Sequence, residues 1–371
     1  MKFSASQSSL QTGLQPLAGV VPAKSPMPVL THFLTQLAGN TLTITATDLE
    51  VSMETRMEVK GQKDGRALLP ARKFLEEIRV FPDVMVTVEA NESGRIKLNA
   101  EDKEYNLSAE GVQNYPKVPS LEEAEAFTID RAKLKRMIEK TIFAVSRDEL
   151  RPQLTGIYLK IFPEELRMVS TDGHRLAKIN VKHSGYSGEP RECIIPAKAM
   201  NTVARMCAGE GEVQVLFGTN QLGFRVGNTT LITKLIEGRY PNYEAVIPSE
   251  NKNTLTVDRY QFMQAVLRAS IVSNEISRQI RLKLTGDQMR IMVEDIEQGN
   301  EGQETLPCAY TGDPMDIGYN AGYVLDVLKQ IDMGDEVVFE LGTPTSAGIV
   351  KPTEQEEDED LLMLIMPVRL N

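Results

Sequence analysis

The sequence predicts an α+β chain of three structurally repeated units, each with two helices and predominantly antiparallel sheet. Three registers carry this expectation. An aspartate recurs in "TATDLE" (Asp48), "VSTDGHR" (Asp172) and "MVEDIEQ" (Asp295), at spacings of 124 and 123 residues. A proline element closes each repeat, in "NYPKVPS" (Pro116), "RYPNYEAVIPS" (Pro241) and "IMPVRL" (Pro367), at spacings of 125 and 126 residues. Each repeat opens on two apolar residues seven positions apart: Phe3 and Leu10, Phe127 and Leu134, Leu255 and Phe262. One period in three independent registers marks a structural repeat.

Within a repeat, a short strand leads into an amphipathic helix. "DRAKLKRMIEKTIFAVS" places Leu134, Ile138, Ile142 and Val145 at helical spacing. Alternating strands follow, as in "NTLTITATDLEVSMETRMEV" and "LRMVSTDGHRLAKINV". A second helix starts at Pro70 in "ALLPARKFLEEIRVF" and at Pro196 in "CIIPAKAMNTVARMC". "DIGYNAGYVLDVLKQI" holds the same place in the third repeat. Strands such as "VMVTVEA", "RIKLNA" and "EVQVLFG" complete the pattern. Polar, turn-rich stretches at 118–126 and 247–253 divide the chain into units 1–122, 126–249 and 253–371. The acidic run "EQEEDED", 354–360, reads as a solvated loop.

The 371 residues are 41% hydrophobic and 25% charged, which suits a soluble globular protein of two or three domains. Cys193, Cys207 and Cys308 are odd in number and form no CxxC pair. They fit a reducing, cytoplasmic setting as three small buried hydrophobes. The longest apolar run, "LLMLIMPV", is far short of a membrane span, and the opening "MKFSASQSSLQTG" is polar. No membrane contact is expected.

The net charge is −11, so contact with nucleic acid would require positive charge gathered on one face. The bases do gather. Arg131, Lys133, Lys135, Arg136 and Lys140 share one helix, Arg72, Lys73 and Arg79 another, and Lys198 and Arg205 a third. The acids pool at 101–104, 122–125, 294–304 and 354–360. Basic helices suit sequence-independent contact with phosphates, although any one alone suits a solvated face equally well.

Enzyme motifs are missing. There is no GxxxxGK[ST], GxGxxG, GxSxG or HExxH, and the three histidines are His32, His174 and His183. No metal, cofactor or catalytic residue is expected. One grouping invites a hydrolase reading, Asp172-Gly173-His174-Arg175. On a strand, Asp172 and His174 would share one face as orienter and base, with Arg175 on the other. Yet Asp48 and Asp295 recur without a histidine, which points to a turn device.

"TDGHRLA", "GRYPNYEAVIP", "IVSNE", "YVLDVL" and "MPVRL" occur in this order. With them the whole chain resembles the bacterial DNA polymerase III beta subunit, the replicative sliding clamp. The resemblance implies the DNA clamp fold, with two chains closing a six-unit ring as a head-to-tail homodimer. It implies a non-catalytic processivity factor that encircles double-stranded DNA without sequence preference. The partners it implies are DNA polymerase III alpha and other polymerases, the clamp loader, and mismatch-repair and ligase-type proteins. All would dock short peptides into one pocket. The matching pocket positions are Leu154, Thr171, Gly173, His174, Arg175, Leu176, Pro241, Val246, Asn320, Tyr323, Met366, Pro367, Val368, Arg369 and Leu370. His174 and Arg175 would orient the peptide. DNA-facing positions are Lys24, Arg72, Arg147, Arg151, Lys198 and Arg205. The dimer seam would use Leu107, Ile271 and Val272, flanked by Lys73, Glu297, Glu301 and Glu304. The chain departs from the family at Ala245 and Ser277 on the pocket rim, at Pro152-Gln153 in place of a tyrosine pair, and at the final Asn371. The alternative is a clamp-like peptide-binding adaptor that does not encircle DNA.

Overall fold

The computed structural model describes residues 1–121 and 124–370. Glu122 and Glu123 of the first acidic linker, the proposed end of the first unit at 122, and Asn371 lie outside the described residues. The helices are α1 (Gln7–Leu14), α2 (Ala71–Val80), α3 (Arg131–Ile142), α4 (Ala197–Met206), α5 (Arg259–Val272) and α6 (Ala321–Leu328). One order of elements runs three times along the chain: strand, helix, strands, helix, strands.

The opening strands Lys2–Ser6, Glu125–Asp130 and Asn253–Asp258 run directly into α1, α3 and α5. The last strand residue caps each helix: Ser6 Oγ accepts from Ser9 N, Asp130 Oδ1 from Lys133 N and Asp258 Oδ1 from Gln261 N, at 3.2, 2.9 and 2.7 Å. All six apolar residues of the opening pairs are buried, so each seven-residue interval brings one strand residue and one helix residue inside. Pro70 and Pro196 stand immediately before α2 and α4. Asn320 holds that place before α6 and caps it through Gly322 N and Tyr323 N.

Helix α3 is shorter than its apolar spacing predicts, and Val145 lies beyond it. Beyond Ile142 the N–H groups of Ala144 and Val145 reach back only three residues, to the carbonyls of Thr141 and Ile142 at 3.0 and 3.4 Å, so the α-helical hydrogen-bond pattern stops there.

Two compact units divide the Cα framework: Met1–Lys135 with Asn201–Leu235, and Arg136–Met200 with Ile236–Asn371. The first holds a five-stranded sheet, in the order Lys60–Lys63, Lys2–Ser6, Met85–Ala90, Arg95–Ala100, Lys103–Ser108. It also holds an eight-stranded sheet, in which Val51–Glu58 pairs with Thr229–Lys234 and Ser52 stands opposite Ile232. The second unit holds a nine-stranded and a four-stranded sheet. In the nine-stranded sheet Arg175–Lys182 pairs with Glu359–Ile365, and Leu176 stands opposite Leu364. Both central pairings are antiparallel.

The basic face of α3 differs from expectation. Lys140 is 5% exposed. Its ammonium bonds the Gln330 carbonyl and lies 2.8 Å from Asp332. Arg136 binds Asp332 at 2.6 Å and Glu359 at 2.8 Å. These two bases therefore brace the second unit internally and do not offer their charge to solvent. Glu359 is buried as their partner, so the acidic run 354–360 is not wholly a solvated loop.

Candidate functional site

The Asp172 stretch is a hairpin turn between Glu165–Thr171 and Arg175–Lys182, not a strand. Asp172 Oδ1 accepts the backbone N–H of His174 and of Arg175, at 2.9 and 3.0 Å. Asp48 accepts from Glu50 N and Val51 N at 3.0 and 2.8 Å, and Asp295 from Glu297 N at 3.2 Å. The repeated aspartate thus closes a turn in all three hairpins. The turn also overturns the alternating-face reading. Arg175 Nε donates to Asp172 Oδ2 at 3.1 Å, so acid and guanidinium lie together. The exposed His174 ring stacks instead on Tyr323, centroids 6.1 Å apart.

Arg175 is almost fully engaged. Its Nη1 donates to Asp326, and its Nη2 donates to the Phe143 carbonyl at 2.7 Å. The guanidinium lies over the Tyr323 ring at 4.8 Å and the Phe143 ring at 5.3 Å. Burial, then the charges of Asp172 and Asp326, push the Tyr323 hydroxyl pKa up. Thr171 Oγ1 donates to the Arg175 carbonyl at 2.6 Å and accepts from Gly173 N at 3.0 Å. Gly173 has φ +92°, a conformation open to glycine at little cost.

Beside this turn, Leu154 and Leu176 join Tyr240, Tyr243 and Leu364 in one buried apolar cluster. Tyr158 stacks flat on Tyr240 at 4.6 Å. Arg167 anchors the 240–247 segment by donating to the Tyr243 hydroxyl at 3.0 Å and to Glu244 at 2.7 Å. Pro241 belongs to the same segment, its carbonyl accepting from Tyr243 N at 2.8 Å. Val246 and Met366 remain 54% and 37% exposed. Met366 N donates to the His174 carbonyl at 2.8 Å, and Val368 N to the Gly318 carbonyl at 2.9 Å. A Cβ on Gly318 would stand 2.7 Å from the Val368 carbonyl oxygen, a backbone atom that cannot swing away, so glycine suits the close approach of the tail. Besides capping α6, Asn320 donates to the Ser277 carbonyl at 3.0 Å.

The structure therefore gathers Thr171, Gly173, His174, Arg175, Tyr323 and Met366 at one place, over a floor containing Leu154 and Leu176. Pro367 is half-buried in the tail and Arg369 is exposed. Asp326, Phe143, Tyr240 and Tyr243 were absent from the sequence expectation. Asp326 had a signal: it is the one charge in "AGYVLDVL", three residues after Tyr323. Phe143 contributes a carbonyl and a ring face from beyond a helix end, and no motif marks it.

Lys24, Arg72, Arg147, Arg151, Lys198 and Arg205 are all exposed. Arg72 pairs with Glu76 at 2.9 Å and Arg151 with Asp148 at 2.8 Å. Arg205 donates to Thr202 Oγ1 at 3.1 Å. On the six helices together, Lys and Arg outnumber Asp and Glu by twelve to four, in a chain of net charge −11. Ile271 is 81% exposed, and Val272 and Leu107 are half-buried. Lys73, Glu297 and Glu301 are exposed, whereas Glu304 is taken up by Arg268 at 2.5 Å.

Cys207 is buried, and Cys193 and Cys308 are half-buried, so only one of the three meets the expectation in full. Burial pushes the thiols of Cys193 and Cys207 up to about 12 and about 11. Among the described residues there is no group of three His, Cys, Asp or Glu placed to hold a metal. No helix among them is long and apolar enough to cross a membrane.

Repeated sheet-and-helix units, helix-borne positive charge and a buried apolar cluster beside an exposed turn are the arrangement of a clamp-type protein. The family models of the DNA polymerase III beta subunit match in succession: the N-terminal domain over residues 1–119, the central domain over 128–242 and the C-terminal domain over 244–369. The beta sliding clamps of Escherichia coli and Pseudomonas aeruginosa are each 32% identical to this chain, with both chains covered in full. The crystal structure of the DNA polymerase III subunit beta from Pseudomonas aeruginosa superposes with a TM-score of 0.94 at 32% identity, covering all of both chains. The sliding clamp from Bacillus subtilis superposes at 0.93 with 26% identity, again with full coverage of both. A further Pseudomonas aeruginosa structure, 32% identical with a TM-score of 0.92 and full coverage of both chains, is of the clamp bound to griselimycin. The chain belongs to the DNA polymerase III beta subunit family, the beta sliding clamps. It is accordingly a processivity subunit of DNA replication and not an enzyme.

Proposed function

We propose that two copies close head to tail into a six-unit ring around duplex DNA, each contributing units 1–122, 126–249 and 253–371. The concentration of positive charge on the helices carries this reading. Helices turned toward a central hole would present to phosphates the part of that charge that Arg136 and Lys140 do not spend internally, while the acidic remainder faces solvent. Phosphate contact holds DNA without reading bases, which a sliding protein requires. Lys24, Arg72, Arg147, Arg151, Lys198 and Arg205 are the residues proposed to face DNA. Ile271, Val272 and Leu107 would form the apolar part of the seam, with Lys73 opposite Glu297 and Glu301. Glu304 would act there through its pair with Arg268.

The cleft at Gly173 and His174 is the proposed docking place for linear peptides of polymerases, the clamp loader and repair proteins in the cytoplasm. Leu154 and Leu176 would receive apolar side chains, and Val246 and Met366 would close over them. His174 would meet the peptide directly. Arg175, with its donors committed, would hold the walls and not the ligand. The exposed tail residue Arg369 would supply a cation at the edge.

The test is retention on DNA of differing topology. The protein is loaded onto a nicked circle with its loader, the complex is isolated, and the circle is cut once. Retention before the cut and escape after it is expected. Indifference to the cut would leave a peptide-binding adaptor that does not encircle DNA.

A further inference from the structure

The repeat places a second cavity where the first and second repeats meet, at the position equivalent to the peptide cleft. In the first hairpin Ser52 stands four residues after the turn aspartate and opposite Ile232. In the second, Leu176 stands four residues after its aspartate and opposite Leu364. The connector after Tyr115-Pro116 passes the first pair as Val118 and Pro119. The connector after Tyr240-Pro241 packs Tyr243 and Ile247 against the cluster that holds the second pair. At the first of these places lies a cavity of about 490 Å³, lined by Ser52, Glu54, Arg56, Val118, Arg225 and Ile232 among others. That volume is within the usual range for small-ligand sites.

The cavity keeps the strand register of the Gly173–His174 site but changes its chemistry. Ser52 replaces the leucine of the second hairpin, so one apolar side chain of the pair is lost. Two guanidiniums enter. Arg56 pairs with Glu54 at 2.9 Å, which neutralises one of them. Arg225 Nε donates to Thr230 Oγ1 at 3.3 Å and its Nη1 lies 3.5 Å from Gln214 Oε1, both long bonds to neutral oxygens. Among the described lining residues the balance is one positive charge beside an apolar strip of Val118 and Ile232.

We propose that this cavity is a second ligand site, which takes a short acidic segment of a partner: one carboxylate on Arg225 and a neighbouring aliphatic side chain against Val118 and Ile232. A bidentate guanidinium–carboxylate contact would supply selectivity for acid. The choice of a peptide rests on the reading of the Gly173–His174 cleft as a peptide site; the cavity and its charge do not.

The probe is an acetylated tetrapeptide of alternating leucine and aspartate, titrated into the full chain by calorimetry. The same peptide with lysine for aspartate is the control. The chain has no tryptophan, so Ser120→Trp at the exposed rim gives a second, local fluorescence readout. Saturable binding of the aspartate peptide is expected, at least tenfold tighter than the lysine peptide. Arg225→Gln should remove that preference, with its circular dichroism unchanged and a leucine-rich peptide still bound at the Gly173–His174 cleft. Three results would overturn the proposal: no binding up to about 10 mM, equal binding of both peptides, or loss of aspartate-peptide binding in His174→Ala, which would place it in the other cleft. A cleft that binds no peptide while the fluorescence of the Ser120→Trp variant still saturates would remove the function proposed for the cleft and leave this site standing.

Discussion

Arg175 is tied twice to Asp172: its backbone N–H lies 3.0 Å from one carboxylate oxygen and its Nε 3.1 Å from the other. One carboxylate thereby folds the turn and fixes the side chain that closes it. The same guanidinium reaches Asp326 on α6 and the carbonyl of Phe143. Three segments distant in sequence converge on this one cation, and the His174–Tyr323 stack rests against it.

Arg175→Ala should therefore cost about 3 kcal/mol of stability in urea denaturation, because two carboxylates lose a half-buried partner. Arg175→Lys should recover only part of this, since an ammonium cannot span the three acceptors in one plane. A loss below about 0.5 kcal/mol, the range of ordinary surface changes, would show that the bracket is not structural.

His174→Ala should behave differently. The ring is exposed and meets Tyr323 alone among the aromatic contacts, so stability should change by less than about 0.5 kcal/mol. Peptide affinity at the cleft should fall by roughly fivefold, the worth of about one aromatic contact. Unchanged affinity measured by fluorescence anisotropy would remove His174 from the site.

Asp332 provides a pH-dependent test. Partial burial pulls its carboxyl pKa up, but hydrogen bonds from Arg136 and Lys140 outweigh this and hold it below the ordinary value near 3.8. The stabilisation it contributes is complete above that ordinary value. It is lost as pH falls through the lower folded value. Asp332→Asn should cost about 2 kcal/mol at pH 7, because Lys140 remains buried with less compensation. The gap to the parent chain should close in strong acid. Lys140→Met should stay within about 1 kcal/mol, since an apolar side chain of similar volume removes the charge as well. A gap that does not narrow anywhere as pH falls below 3.8 would contradict this account.

Leu49 and Gly173 occupy the same turn position in successive hairpins, with φ of +80° and +92°. A leucine there carries roughly 1–2 kcal/mol of backbone strain. Leu49→Gly should be neutral or stabilising by up to about 1 kcal/mol, whereas Gly173→Ala should destabilise by about 1 kcal/mol. Thermal melts of the two variants should move in opposite directions or leave only Gly173→Ala shifted.

The proposed seam makes a further prediction. Ile271 is 81% exposed beside Val272 at the end of α5. Val272→Glu would place a charge in an apolar contact and should yield monomers in sedimentation velocity. An intact dimer would move the seam elsewhere.

Repeat, helix starts and the turn role of the recurring aspartate were legible in the sequence because they depend on local chemistry. A short strand leads into each first helix, a proline precedes two of the second helices, and an aspartate recurs at each turn. The end of α3 was not legible, because Leu134, Ile138, Ile142 and Val145 keep one period while hydrogen bonding ends the helix at Ile142. Nor was the fate of the α3 bases. A run of Lys and Arg reads alike whether it faces solvent or Asp332 and Glu359.

Periodicity and turn residues, then, determined by themselves the three-fold order of elements, the residues of the opening cores and the turn function of Asp48, Asp172 and Asp295. Tertiary structure alone decided which cations are spent internally. It made Arg175 a bracket by placing Asp326 and Phe143 around it, and it paired Ser52 with Ile232 where the next repeat pairs Leu176 with Leu364. The physical reason is range. Caps and turns act over three or four residues, whereas ion pairs and cavities depend on partners tens to hundreds of residues away, whose approach no local pattern records.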